Sequence, residues 1–109
     1  MNPDYVDIDT LMEERRKAIK ESIRPIDAAE LKSLGEQLFP AADDPWREAY
    51  FQFLAENSGC VFHYAVTHDG VHVLYCRSEE KGIWFVPGVG RGPLQERGLK
   101  ILKEIIDGV

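Results

Sequence analysis

Two cysteines, Cys60 and Cys76, are too few for a disulfide framework, and no CxxC motif joins them. No apolar run approaches the length of a membrane span. The opening residues, MNPDYVDIDT, lack the basic start and apolar stretch of an export signal, so a cytoplasmic location is expected. Basic residues are outnumbered: 13 Lys and Arg against 19 Asp and Glu give a net charge of −6. Phosphate neutralisation supplies most nucleic-acid affinity, which disfavours that partner class. Neither an internal repeat nor a low-complexity segment interrupts the chain.

Apolar residues make up 44% and charged residues 29% of 109 positions, values near the globular average. Eleven aromatics can fill a core, and the length fits one domain. The acidic excess is local. Residues 1–30 hold eight acids and five bases, residues 31–59 five and two, and residues 60–109 six of each.

Residues 1–6 read as a flexible lead-in to a single domain over 7–109. From Asp7 to about Ile23, the residues Ile8, Leu11, Met12, Ile19 and Ile23 fall near one helical face. Charges on the opposite face, Glu13 and Lys17 among them, pair internally. Arg24-Pro25 ends that helix, since the residue before proline avoids helical dihedrals. Asp27 and Glu30 have capping-box spacing for a second helix carrying Leu31, Leu34 and Leu38. Gly35 inside it weakens its propensity. Asp44 and Pro45 open a third helix with Trp46, Ala49, Tyr50, Phe53 and Leu54 on one stripe, stopped by Asn57-Ser58-Gly59.

After Gly59 the period becomes two. Cys60–Thr67 and Val71–Cys76 read as strands around Asp69-Gly70, a two-residue hairpin signal. A turn over Ser78–Gly82 leads to a third strand, Ile83–Val86. The loop Pro87–Pro93 leads to a last helix from Leu94 to about Asp107, with Gly98 on its inner stripe. The expected fold is therefore α+β: three N-terminal helices, a three-stranded antiparallel meander and a C-terminal helix packed on the sheet.

A two-residue turn would oppose His63 to Cys76, Tyr64 to Tyr75 and Thr67 to His72. One face would then be a core of Phe62, Tyr64, Val66, Val71, Val73 and Tyr75. The other would be mixed, neither core nor solvent face. His63 and Cys76 alone fall short of the four ligands of a structural zinc site, and His72 lies too far along the strand to help. As a nucleophile pair they lack an orienting third group. No triad, catalytic carboxylate pair or metal motif emerges, so no cofactor is expected and the balance leans away from an enzyme.

Two surfaces remain. Trp84, with Val86, Leu74 and His63 near a thinly covered sheet, would suit a protein partner or a second copy of the chain. Gly88, Gly90 and Gly92 with Arg91, just before a helix N-terminus, would suit a small anion, although the spacing is neither GxGxxG nor a P-loop. The preferred expectation is a non-enzymatic protein-interaction module, with a homodimer as one form of it. The alternatives are an anionic-ligand domain or enzyme built on the glycine loop and, last, an acidic inhibitor of a basic protein.

Overall fold

A computed structural model describes residues 8–77 and 81–108. The expected lead-in over 1–6 and most of the expected turn at 78–82 lie outside them. In order, the elements are α1 (Ile8–Glu14), α2 (Arg16–Ser22), β1 (Arg24–Ile26), α3 (Ala28–Leu38) and α4 (Pro45–Glu56). Then follow β2 (Val61–Val66), β3 (His72–Arg77), β4 (Gly82–Val86), β5 (Gly90–Pro93) and α5 (Glu96–Asp107). The class is α+β, but the sheet has five strands instead of three, in the order β1-β2-β3-β4-β5, with every neighbouring pair antiparallel. Among the described residues, no helix is long and apolar enough to cross a membrane.

Both faces of the sheet are covered. Against one, α1, α2 and α5 bury Ile8, Met12, Ile19, Ile101 and Leu102 over Ala65, Val73, Tyr75 and Val86. Against the other, α3 and α4 bury Leu31, Leu34, Tyr50 and Phe53 over Phe62, Leu74, Cys76 and Phe85. Phe85 is the hub of the second layer, with ring centroids of Phe53, Tyr50 and Trp46 at 5.4, 5.7 and 6.1 Å. The Tyr50 and Trp46 rings meet Phe85 edge-to-face, a geometry that adds to the burial of area itself. The sheet thus has two core faces, and the mixed face read from the sequence is divided between them: His63 and Ala65 lie on the first, Leu74 and Cys76 on the second.

The hairpin is shifted by one residue from the expected register. Phe62 opposes Cys76, His63 opposes Tyr75, and Tyr64 opposes Leu74. The cause is the turn. Gly70 N–H donates to the Thr67 carbonyl, Thr67 N–H donates to the Val71 carbonyl, and Gly70 has φ +82°. This is a three-residue loop, in which a left-handed glycine ends the turn. A one-residue slip moves every β3 side chain to the opposite face relative to β2. Val73 and Tyr75 therefore share a face with His63 and Ala65, not with Phe62 and Tyr64.

The turn is pinned from outside. The Thr67 hydroxyl donates to Asp69 at 2.6 Å and accepts from Val71 N–H at 3.0 Å. Arg15 donates to both Asp69 oxygens at 2.9–3.2 Å. These hydrogen bonds, first from Arg15 and then from Thr67, hold the Asp69 carboxyl well below the usual carboxylate range. Arg15 is also where the expected single N-terminal helix bends. Its φ of −111° departs from helical values, yet its N–H still reaches the Leu11 carbonyl and its carbonyl the Ile19 N–H.

Candidate functional site

A concavity lies where β1 gives way to α3. Asp27 accepts from Glu30 N–H at 2.9 Å, so the chain leaves the sheet after Ile26 and starts a helix. β2 runs one residue further, to Val61, and is entered through Gly59 and Cys60. The end of α4 supplies Leu54. Between them is a mostly apolar groove of about 610 Å³ with Ile26, Leu31, Leu54, Cys60 and Phe62 on its walls. Asp27 and Glu30 stand on one rim. Val61, at 58% exposure, stands on another, and is one of two large apolar side chains exposed among the described residues.

Cys60 forms part of that wall and touches Cys76 beneath it. Cys60 precedes Phe62 by two residues, so both point to the α3/α4 face, and Phe62 is directly opposite Cys76. The two thiols are neighbours in the α3/α4 layer. Burial, reinforced by the neighbouring Cys60 thiol, pushes the Cys76 thiol up to about 12. Cys60 is partly exposed and Cys76 is 2% exposed.

A polar cluster lies at the other end of the same face. The Tyr64 hydroxyl meets His72 Nδ1 at 2.5 Å, with the rings stacked at 5.9 Å. The Arg24 guanidinium covers Tyr64 at 5.8 Å and binds Glu30 at 2.5 Å. Partial burial raises the Tyr64 pKa, against the opposing charge of Arg24. Each polar group here already has a protein partner.

The residues singled out from the sequence are distributed differently than expected. Pro87 and Gly88 form the middle of a tight turn, with Val89 N–H donating to the Val86 carbonyl and Gly88 at φ +81°. Proline followed by a left-handed glycine is the pattern of a type II turn. Gly90, Arg91 and Gly92 belong to β5, not to a loop entering the helix. Gly92 lies against the Trp84 indole. Arg91 is ion-paired with Glu56 and covers the Phe53 ring at 5.9 Å, and the bond from Arg91 lowers the Glu56 pKa.

The last helix starts at Glu96, two residues later than expected, and its N-terminus receives Asp9 from α1. Gly98 N–H donates to Asp9 at 2.6 Å and Gln95 N–H at 3.3 Å. Asp9 is 1% exposed. It is a buried carboxylate in the place where an anion would be stabilised by the helix dipole. The three glycines and Arg91 therefore do not converge on that helix terminus.

Trp84, Val86, Leu74 and His63 do not make one surface either. Leu74 is in the α3/α4 core, Val86 in the opposite core with Trp84 packed on it, and His63 is 9% exposed. His63 and Cys76 point to opposite faces. Among the described residues, no three His, Cys, Asp or Glu side chains come together as a metal site requires.

Sequence reasoning missed the groove, the thiol contact, the Tyr64–His72 pair and the role of Asp9. Asp9 alone left a signal: a carboxylate three residues before Met12, on the apolar stripe of its helix. The others depend on the hairpin register and on strand β1. Comparison with known protein families, curated proteins and solved structures finds no match to the chain.

Proposed function

We propose that the protein is a non-enzymatic interaction module whose groove between β1, α3 and β2 receives an aliphatic segment of a partner protein with basic flanking residues. The groove carries this reading: a mostly apolar concavity of about 610 Å³ with an exposed Val61 on its rim. Apolar concavities of that size with a few polar groups at their margin are the usual form of a binding site.

Two further features support it. Both edge strands carry a proline, Pro25 in β1 and Pro93 in β5. Proline offers no N–H and blunts addition of another strand, which favours recognition through side chains in the groove. The acidic rim and the net charge of −6 steer a basic partner more than an acidic one.

The test is an amide NMR titration with a leucine-rich peptide flanked by lysines. Saturable shifts centred on Cys60, Val61 and Phe62, abolished by Ala28→Trp at the groove wall, are expected. Shifts scattered over the surface, or unchanged in the variant, would sink the reading. Movement of the same amides with protein concentration alone would identify a second copy of the chain as the occupant.

A further inference from the structure

We infer that Cys60 and Cys76 form a reversible dithiol–disulfide site, oxidised by a low-molecular-weight disulfide that enters through the groove. Three observations converge. The two side chains share one sheet face and one core layer, with Cys76 opposite Phe62 and Cys60 two residues before it. Their thiols are neighbours in that layer, so bond formation requires a local approach to the S–S distance of about 2.05 Å. Their accessibility is unequal: Cys60 lines the open groove, and Cys76 lies beneath it. An accessible attacking thiol with a resolving partner beside it is the arrangement that thiol–disulfide exchange requires. The inference holds whatever macromolecule fills the groove.

The steps balance. The Cys60 thiolate attacks one sulfur of the small disulfide, forming a mixed disulfide and releasing one thiolate, which takes up the proton lost by Cys60. The Cys76 thiol then loses its proton and attacks the Cys60 sulfur. The second small thiolate leaves and takes up that proton. Two protein thiols have been oxidised and one small disulfide reduced to two thiols. Only the thiolate attacks, and the buried thiol ionises with difficulty, so the second step is the slow one. Its rate should rise roughly tenfold per pH unit between about pH 7 and pH 9.

Reduced protein treated with glutathione disulfide provides the test. Trypsin leaves both cysteines in one peptide, residues 48–77, because neither Lys nor Arg lies between Arg47 and Arg77. The expected product is that peptide lighter by two hydrogens, restored by reductant, and formed faster as pH rises. Chymotrypsin, cutting after Phe62 or Tyr64, should yield two fragments joined only without reductant. Cys76→Ser should stop at glutathione on Cys60, and Cys60→Ser should remain unmodified. The wild-type peptide map does not depend on either variant folding. Glutathione retained on wild-type Cys60, a disulfide between two chains, or two thiols still open to alkylation would each overturn the inference.

Discussion

Alanine normally exceeds glycine inside a helix by roughly 1 kcal/mol. At Gly98 the sign should reverse. A Cβ there would stand 2.9 Å from the Asp9 carboxylate carbon and one of its oxygens, so the cap must move away from the N–H groups it serves. Gly98→Ala should therefore destabilise the protein by about 1–3 kcal/mol, the range for overpacking a close contact. Asp9→Ala should cost about 2 kcal/mol through the lost cap and charge-assisted bonds. The two losses should not add. With Asp9 already removed, Gly98→Ala should be neutral or mildly stabilising, and a urea-denaturation double-mutant cycle reads the coupling directly. Additive losses would mean that the carboxylate is not what excludes the methyl group. His63 makes a different prediction. Its Nδ1 has no hydrogen-bond partner among the described residues although the residue is 9% exposed, and burial first, then the charge of Arg77, lowers its pKa, with Asp107 opposing. The unfolded chain thus binds a proton more readily than the folded one. Stability from this residue is present above about pH 6.5 and declines as pH falls below it. Between about pH 7.5 and pH 5.5 the denaturation midpoint should drop in the wild type and drop less in His63→Leu. Equal slopes would remove His63 as the cause.

At the scale of elements, strongly periodic segments were legible and short ones were not. The stripes of α3 and α4 and their caps at Asp27 and Asp44 follow from side-chain spacing and N-cap chemistry, and the structure has them. Gly35 reads as a weakness within α3, whereas its missing side chain makes room for α4: a Cβ there would meet the Tyr50 and Phe51 rings at 2.6 and 2.7 Å. β1 is three residues with a central proline, and β5 is Gly-Arg-Gly-Pro. Neither has an alternating pattern, because an edge strand of this length is held by its neighbour's backbone more than by its own side chains. Ser22 extends the first of these pairings with its side chain. Its hydroxyl donates to the Val66 carbonyl and accepts from Val66 N–H, just beyond the end of β1. The hairpin slip had the widest consequences. Asp-Gly permits both a two-residue and a three-residue loop, and the difference is decided by tertiary contacts, here Arg15 on Asp69 and two helical layers. Once the register is wrong by one, His63 and Cys76 become neighbours on paper and the real thiol contact disappears. The groove was beyond reach for the same reason, since its walls come from β1, α3, α4 and the start of β2.

On the scale of the whole molecule, one sheet serves two cores. Alternate residues of β3, Val73 and Tyr75 against Leu74 and Cys76, face opposite layers. Neither layer can lose its strand without exposing the inner face of the other, so both should unfold in one cooperative transition. The two tryptophans allow this to be measured separately. Trp46 packs into the α3/α4 layer and Trp84 into the α1/α2/α5 layer. Trp84→Phe leaves a reporter in the first, and Trp46→Phe a reporter in the second. In each single-tryptophan protein, the fluorescence and far-UV circular dichroism transitions in urea should coincide, with the same midpoint and slope, as two-state unfolding requires. Comparison within each variant removes any stability change caused by the substitution itself. A Trp46 signal lost before the secondary structure, with Trp84 still native-like, would show instead that α3 and α4 detach as a unit. In that case the groove would open with them, and its occupant should raise the midpoint of that first transition alone.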